Sequence, residues 1–190
     1  MGGIRPLVES LQPSRPDGSP SKPITQANAA LALQHLCRNH TPNQTTVAEY
    51  GGLGQLGTLM RPDRNNKDGP GVVEAEAAGA LWSLAEANEA NKVSIAGSGA
   101  IGTMCMLIGS TNERAQKYAA SALSSLCSGS VPNMEETTKL LVSALHGGTP
   151  DAKERVLKSL WRLVRDNSEQ KVSGVCAAAP RSRPRAGCLS

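Results

Sequence analysis

The sequence predicts an all-α fold, an α-solenoid of about three to four repeats, from its composition and its internal repetition. Aromatic residues make up 2% of the 190 residues, and phenylalanine is absent. The core must therefore be built from Ala, Leu, Val, Ile, Met and Cys. These residues suit closely packed helices, whereas strands favour β-branched and aromatic residues. A chain of this length provides one domain with a core or one short repeat array.

One helical segment recurs four times, at residues 27–39, 75–87, 117–129 and 155–167. Each copy carries a leucine, a second leucine three residues later and a small residue just before the first. The leucine pairs are Leu33 with Leu36, Leu81 with Leu84, Leu123 with Leu126 and Leu160 with Leu163. This spacing places the apolar and small residues on one helical face.

A second block recurs upstream of the first. Ile4, Leu53 and Ile101 are equivalent, and so are Leu7, Leu56 and Met104. Residues 43–50 match residues 91–98, and residues 135–145 are a weaker, shortened copy. The predicted unit is a short helix, a glycine turn, a second helix, a loop and a longer third helix. We expect the turns at Gly51–Gly52 and at Ser98–Gly99.

Domain boundaries follow from the repeats. The prediction is a repeat domain over residues 1–175, with repeats at about 2–39, 40–88, 89–129 and 130–172. Residues 12–25 and 61–72, rich in Pro, Gly and charge, are predicted to be inserted surface loops. Ser110 with Glu113 predicts a capping box, and Thr149 before Pro150 predicts a helix start. Residues 176–190 are predicted to be a disordered basic tail.

Residues 74–127 combine the pattern Ala-Leu-Trp-x-Leu with Asn-Lys and then Gly-Ala-Ile. This stretch resembles the armadillo repeat family, and a weaker likeness covers residues 2–172. The resemblance implies a right-handed superhelix whose third helices line a concave groove. It also implies a non-enzymatic protein-interaction scaffold that binds an extended peptide segment in that groove.

The groove of importin-α-like members carries a ladder of Trp and Asn, and no position here matches it. The tryptophan positions hold Leu31, Gly79, Ser121 and Lys158, and the asparagine positions hold His35, Ser83, Ser125 and Arg162. Import-receptor function is therefore not expected. The candidate groove residues are His35, Arg38, Ser83, Glu86, Ser121, Ser125, Lys158, Arg162 and Arg165.

The last helix carries a basic stripe made of Lys158, Arg162 and Arg165 at helical spacing. One hypothesis is that this stripe contacts an acidic segment of a partner. The alternative is a solvated face of a terminal repeat, since end repeats need polar caps.

A G-x-G-x-x-G pattern at Gly52, Gly54 and Gly57 raises the alternative of a nucleotide-dependent enzyme. Glu74 and Glu76 follow about twenty residues later, where a ribose-binding acid is expected. The position of Gly54, however, holds Arg5 in the first copy and Gly102 in the third. A phosphate loop would not tolerate an arginine at this position. The glycines are therefore interpreted as an inter-helix turn, and no cofactor is predicted.

The five cysteines are irregularly spaced, so neither a disulfide framework nor a zinc site is expected. Cys37 and Cys127 share a repeat position that holds Ala85 and Val164 in the other copies, which predicts a small buried site. Trp82 and Trp161 also share a position, which predicts packing in the core or between repeats. No histidine pair has metal spacing, and no catalytic or metal-binding residue is predicted.

Charge and segment patterns limit the partners. The formal net charge is +4, with Arg181, Arg183 and Arg185 in the tail, so no specific nucleic-acid binding is expected. No apolar run is long enough to span a membrane, and no secretory signal is predicted from the first residues. We expect an intracellular protein, cytoplasmic in the first instance, with a nuclear location also open. A second hypothesis is a membrane- or cytoskeleton-associated adaptor that uses the tail. Self-association is expected at an exposed apolar edge of the first repeat.

Overall fold

The computed structural model describes residues 2–14, 18, 21–61 and 71–178, with side chains described as far as residue 165. These residues form ten helices. The first unit is α1 (Ile4–Glu9) and α2 (Pro23–Cys37). The second is α3 (Thr41–Glu49), α4 (Gly52–Leu59) and α5 (Val72–Ala85). The third is α6 (Glu89–Gly97), α7 (Ala100–Ile108) and α8 (Glu113–Cys127). The fourth is α9 (Val131–Gly147) and α10 (Pro150–Ala178).

The third helices of the units, α2, α5, α8 and α10, stack side by side in chain order, with α5 between α2 and α8. The first and second helices of each unit pack behind them. Leu33, Leu81 and Leu123 are fully buried in one continuous core with Ile101 and Met104. The prediction of an all-α solenoid is therefore confirmed.

Small residues allow α5 to be buried on nearly every side. Alanines occupy five of its positions, and every residue from Glu74 to Ala85 except Trp82 is buried. Because Ala has no side chain beyond Cβ, the helices on either side can approach closely and exclude water. The alanine-rich composition thus sets the spacing of the third helices.

An asparagine closes the junction between units in three places. Asn43, Asn91 and Asn133 each donate a side-chain hydrogen bond, 2.6–2.9 Å long, to a carbonyl near the end of the preceding third helix. The acceptors are the carbonyls of Leu36, Leu84 and Leu126. Helix ends leave such carbonyls without intrahelical partners, so these bonds fix the angle at which the next unit begins.

A left-handed glycine separates the first helix from the second. Gly51, before α4, has φ +74°, and Gly99, before α7, has φ +77°. The expected turns are present, but Gly51 corresponds to Gly99 and not to Ser98, which ends α6 in a right-handed conformation. Residues that carry a Cβ rarely adopt positive φ, so the residue that reverses the chain must be the glycine.

Two glycine-to-alanine changes in the same segment should have opposite effects. Gly51→Ala should lower the free energy of unfolding by about 1–2 kcal/mol, because a Cβ is strained at positive φ. Gly54→Ala should raise it by about 0.5–1 kcal/mol, because Gly54 lies inside α4 and an added Cβ meets nothing within 4 Å. Urea denaturation of both variants measures this. A loss of stability in Gly54→Ala would contradict the assignment of this segment as an ordinary solenoid helix.

Several boundaries differ from the sequence expectations. The fourth unit has one continuous helix, α9, in place of a first and second helix, because the shortened copy at 135–145 contains no glycine turn. The loops expected at residues 12–25 and 61–72 end early, since α2 begins at residue 23 and α5 at residue 72. Within these loops, residues 15–17, 19–20 and 62–70 lie outside the described residues. Helix α10 continues to residue 178, beyond the expected limit at 175. The part of the predicted tail from residue 179 lies outside the described chain.

The helix starts were only partly predicted. Thr149 accepts a hydrogen bond from the Ala152 N–H, as expected for the start of α10. The cap of α8 is Asn112, whose side chain accepts from the Ala115 N–H, and not Ser110. The Ser110 hydroxyl instead accepts from the Asn112 N–H and holds the preceding turn.

Candidate partner-binding face

The nine predicted groove residues lie on the four stacked third helices or at their ends, but they differ in exposure. His35, Arg38, Lys158, Arg162 and Arg165 are exposed, and Glu86, Ser121 and Ser125 are half-buried. We call the surface formed by this side of α2, α5, α8 and α10 the inward face. Among these nine residues, the long basic side chains are at the two ends of the face, on α2 and on α10.

Ser83 does not lie on this surface. It is buried, and its hydroxyl has no hydrogen-bond partner. Gly79 and Glu76, one and two turns earlier on the same face of α5, are buried as well. The inward face is therefore closed over α5, and Ser83 cannot touch a partner in this conformation.

The side chains that close α5 come from the two neighbouring units. A Cβ added to Gly79 would lie 2.9 Å from Nε2 of Gln34 on α2 and 2.9 Å from Cδ2 of Tyr118 on α8. Both distances are shorter than real Cβ contacts. Gly79 occupies the position of the family tryptophan on α5, and here neighbouring side chains fill the space that a tryptophan would need.

The two acids that resembled a ribose-binding pair have structural roles. Oε2 of Glu74 accepts the Gly71 N–H at 2.8 Å and caps α5. Oε1 of Glu76 accepts from Nη1 of Arg114 on α8 at 2.6 Å, with the carboxylate 2% exposed and the guanidinium 57% exposed. Neither acid follows a strand or faces a phosphate-binding turn. The structure thus gives both carboxylates a role in the fold.

The two tryptophans, equivalent in sequence, have different environments. Trp82 is half-buried against the core, its ring 6.2 Å from that of Tyr118 and covered by the Arg38 guanidinium at 5.6 Å. Trp161 is 64% exposed, with Arg165 stacked on its ring at 4.7 Å. The expectation of buried packing is therefore confirmed for Trp82 and wrong for Trp161, because none of the described residues packs beyond α10.

The basic stripe of α10 borders a narrow cleft. Lys158 forms an exposed ion pair with Glu154 at 2.6 Å, and this hydrogen bond lowers the pKa of the Glu154 carboxyl. Arg162 lines this cleft with Ser124 and Ser159, but most of the lining is apolar and includes Ile108 of α7 and Leu141 of α9. At this end of the inward face, the groups able to bind carboxylates are therefore the exposed cations.

Tyr118 and Arg114 were not predicted as part of this face. Both lie on α8, four residues apart, and reach over α5 to Trp82 and to Glu76. A polar or aromatic pair at i, i+4 marks a continuous strip on a helix. Which residues of the preceding unit this strip contacts depends on how the helices stack. The spacing of residues along α8 does not give that information.

The three cysteines whose side chains the structure describes are poor nucleophiles. Burial raises the pKa of the Cys37 thiol to about 11 and that of the Cys105 thiol to about 12, and it also raises the pKa of the Cys127 thiol. All three are free, buried thiols, protonated at neutral pH and thus poor nucleophiles. Within the described part of the chain, no group of three or more His, Cys, Asp and Glu residues could hold a metal ion.

Among the helices of the described residues, none combines the length and apolarity needed to cross a bilayer.

Several solved structures share this fold. An engineered protein from a structural genomics consortium matches with a TM-score of 0.63 and 20% identity, over 97% of this chain and 74% of that one. A designed armadillo repeat protein matches with a TM-score of 0.61 and 15% identity, over 88% and 70% of the two chains. Another, in complex with the peptide (KR)4, matches with a TM-score of 0.61 and 16% identity, over 96% and 77%. At these identities the likeness establishes the fold.

The repeated helices, the left-handed glycine turns and the stacked third helices define an α-solenoid built from three-helix repeats. The model of the armadillo/beta-catenin-like repeat family matches residues 88–128, the third unit with its capping residue Asn88. Residues 88–128 therefore match an armadillo repeat, and the described solenoid shares the fold of designed armadillo repeat proteins. The comparison with curated proteins gives no match.

Proposed function

We propose that this protein is a non-enzymatic interaction scaffold that holds an extended acidic segment of an intracellular partner on its inward face. The observation that carries the proposal is the exposed basic stripe of Lys158, Arg162 and Arg165 on α10. Carboxylates bind well to arginine and to hydroxyl groups.

The closed surface over α5 shapes the proposed mode of binding. Because Gly79 and Ser83 are covered, a bound segment cannot hydrogen-bond to the middle of the inward face and must lie over α8 and α10. Binding through exposed cations is electrostatic, weakens as salt rises and affects the association rate strongly. We therefore expect moderate affinity with a steep dependence on ionic strength.

The structural neighbours support a peptide as the partner. One designed armadillo repeat protein is in complex with the peptide (KR)4, so a fold of this kind can hold an extended charged segment. The charge on α10 of the present chain is basic, which is suited to the opposite kind of peptide. Net charge of an interface selects partners by attraction and by repulsion.

The test uses two synthetic peptides, a fluorescent (DE)4 peptide and (KR)4. We expect the wild-type chain to bind (DE)4 more tightly than (KR)4, with affinity that falls as salt rises. Lys158→Glu with Arg162→Glu should weaken binding of (DE)4 by about tenfold, because two attractive charges become repulsive. Fluorescence anisotropy measures each dissociation constant.

The control variant carries Arg5→Glu and Lys139→Glu, which change the net charge equally. Arg5 lies on α1 and the exposed Lys139 on α9, so neither is on a third helix. The control should bind (DE)4 within about twofold of wild type. Equal losses in the two double variants would show attraction by net charge alone, and a preference for (KR)4 would rule out the proposed partner.

The first repeat offers less apolar surface for self-association than the sequence suggested. On α1 and α2, the exposed large apolar residues are Ile24 and Leu36, whereas Ile4 and Leu7 pack against the core. Asn28 and His35, both on α2, are exposed and polar. This edge is mixed in character, and the larger apolar surface is at the opposite end of the chain.

A further inference from the structure

An apolar stripe runs along the exposed side of α10. Leu157, Trp161 and Val164 are 54%, 64% and 54% exposed, and their spacing puts them in one row on the helix. Three large apolar side chains in a row form a patch of the kind that marks an interaction surface. The stripe lies beside the basic residues of the inward face, not within them.

The same row faces a neighbouring helix in the internal units. The equivalent residues on α2 are Ala30, Gln34 and Cys37, and on α5 they are Ala78, Trp82 and Ala85. All are buried except Trp82, which is half-buried. On α10 the first and third positions of this row hold larger side chains than on α2 and α5. The row that makes the contact between repeats elsewhere is therefore larger on α10, and it is exposed there.

Charges beside the stripe specify what can cover it. Glu154 and Arg165 are eleven residues apart, about three helical turns, so they lie in line on the same flank of the stripe, the flank of Trp161. The carboxylate is therefore at one end of the flank and the guanidinium at the other. In a two-fold pair of helices, residue i of one copy meets residue j of the other and j meets i.

We infer that α10 pairs with α10 of a second copy of this chain in an antiparallel, two-fold dimer. If Leu157 of one copy lies opposite Trp161 of the other, the two-fold axis crosses α10 midway between these two residues. The midpoint between Glu154 and Arg165 lies within one residue of the same point. That single arrangement buries the apolar stripe and brings each Glu154 level with the Arg165 of the other copy. Arg165 keeps its stacked position on Trp161.

Sedimentation equilibrium of the full chain under reducing conditions, from ~1 to ~100 µM, tests the inference. The chain should be dimeric at the upper concentrations. Trp161→Ala should raise the dimer dissociation constant at least about tenfold, because a large central side chain dominates such a contact. A chain that stays monomeric over the whole range overturns the inference, whatever else the stripe contacts.

Charge reversal distinguishes the antiparallel pairing from other contacts. Glu154→Arg and Arg165→Glu should each abolish the homodimer at the concentrations tested, since each places like charges opposite one another. An equimolar mixture of the two variants should form a heterodimer, because every Arg then faces a Glu. Homodimers that survive either reversal, or a mixture that stays monomeric, overturn it. Both reversals also touch the basic stripe, since Arg165 belongs to it and Glu154 pairs with Lys158. Dimerisation is therefore measured without peptide, and Trp161→Ala, which leaves Lys158, Arg162 and Arg165 in place, separates loss of the dimer from loss of peptide binding.

Discussion

Two buried glutamines should respond in opposite directions to the same substitution. Gln44→Met is expected to lower the free energy of unfolding by about 2–4 kcal/mol. Gln34→Met is expected to raise it by about 1 kcal/mol. Both side chains are 1% exposed, and methionine is close to glutamine in length and shape. The difference must therefore come from hydrogen bonding and not from burial.

Gln44 joins two units through its amide. Its Nε2 lies within 3.1 Å of the carbonyls of Cys37, Ser83 and Glu86, at the ends of α2 and α5. Its Oε1 accepts from Nδ2 of Asn88, whose own Oδ1 caps α6. Methionine would leave these groups buried without partners, and each such group costs about 1–3 kcal/mol.

Gln34 has none of these bonds. Both polar atoms of its amide are buried and without hydrogen-bond partners, and the amide lies against Gly79. Removing an amide that is already unsatisfied removes a desolvation cost and little else. Methionine keeps the volume that closes the inward face over α5.

Urea denaturation followed by circular dichroism, with equal slopes in the two variants, measures both changes. The two variants serve as each other's controls, since residue type, burial and substitution are the same. A stability change of the same sign in both would mean that packing, and not hydrogen bonding, determines the response.

The sequence predicts the fold because burial here is periodic. The leucine pairs and alanines recur at helical spacing, so the composition and the repeats together indicate stacked helices. Gly51 and Gly99 recur for a local reason, the positive φ of the turn. These features depend on near neighbours in the chain, which a single sequence displays.

The inward face was harder to predict because its exposure depends on residues in other units. Ser83 was expected on the surface by register, but Gln34 and Tyr118 from the adjoining helices close over its neighbour Gly79. Trp161 was expected to be covered like Trp82, but its side of α10 has no described helix beside it. Spacing along one helix gives the direction of a side chain and not what covers it.

Loss of either partner of the ion pair between α5 and α8 should affect the free energy of unfolding unequally. Arg114→Ala is expected to lower the free energy of unfolding by about 2–3 kcal/mol, because it leaves the Glu76 carboxylate buried without its cation. Glu76→Met should change it by less than about 1 kcal/mol. The guanidinium is 57% exposed and stays in water when its partner is lost, whereas the carboxylate is 2% exposed. Oε2 of Glu76, buried and unpartnered, is removed in the same change.

A double-mutant cycle measures the coupling. Arg114→Ala should be costly in the wild-type background and nearly neutral in the Glu76→Met background, since the buried charge is then gone. Arg5→Ala is the matched control, because Arg5 and Glu9 form an ion pair of the same type with both groups at least half exposed. It should cost less than about 1 kcal/mol. If Arg114→Ala costs no more than Arg5→Ala, then Glu76 does not depend on Arg114, and the contact that joins α8 to α5 is not electrostatic.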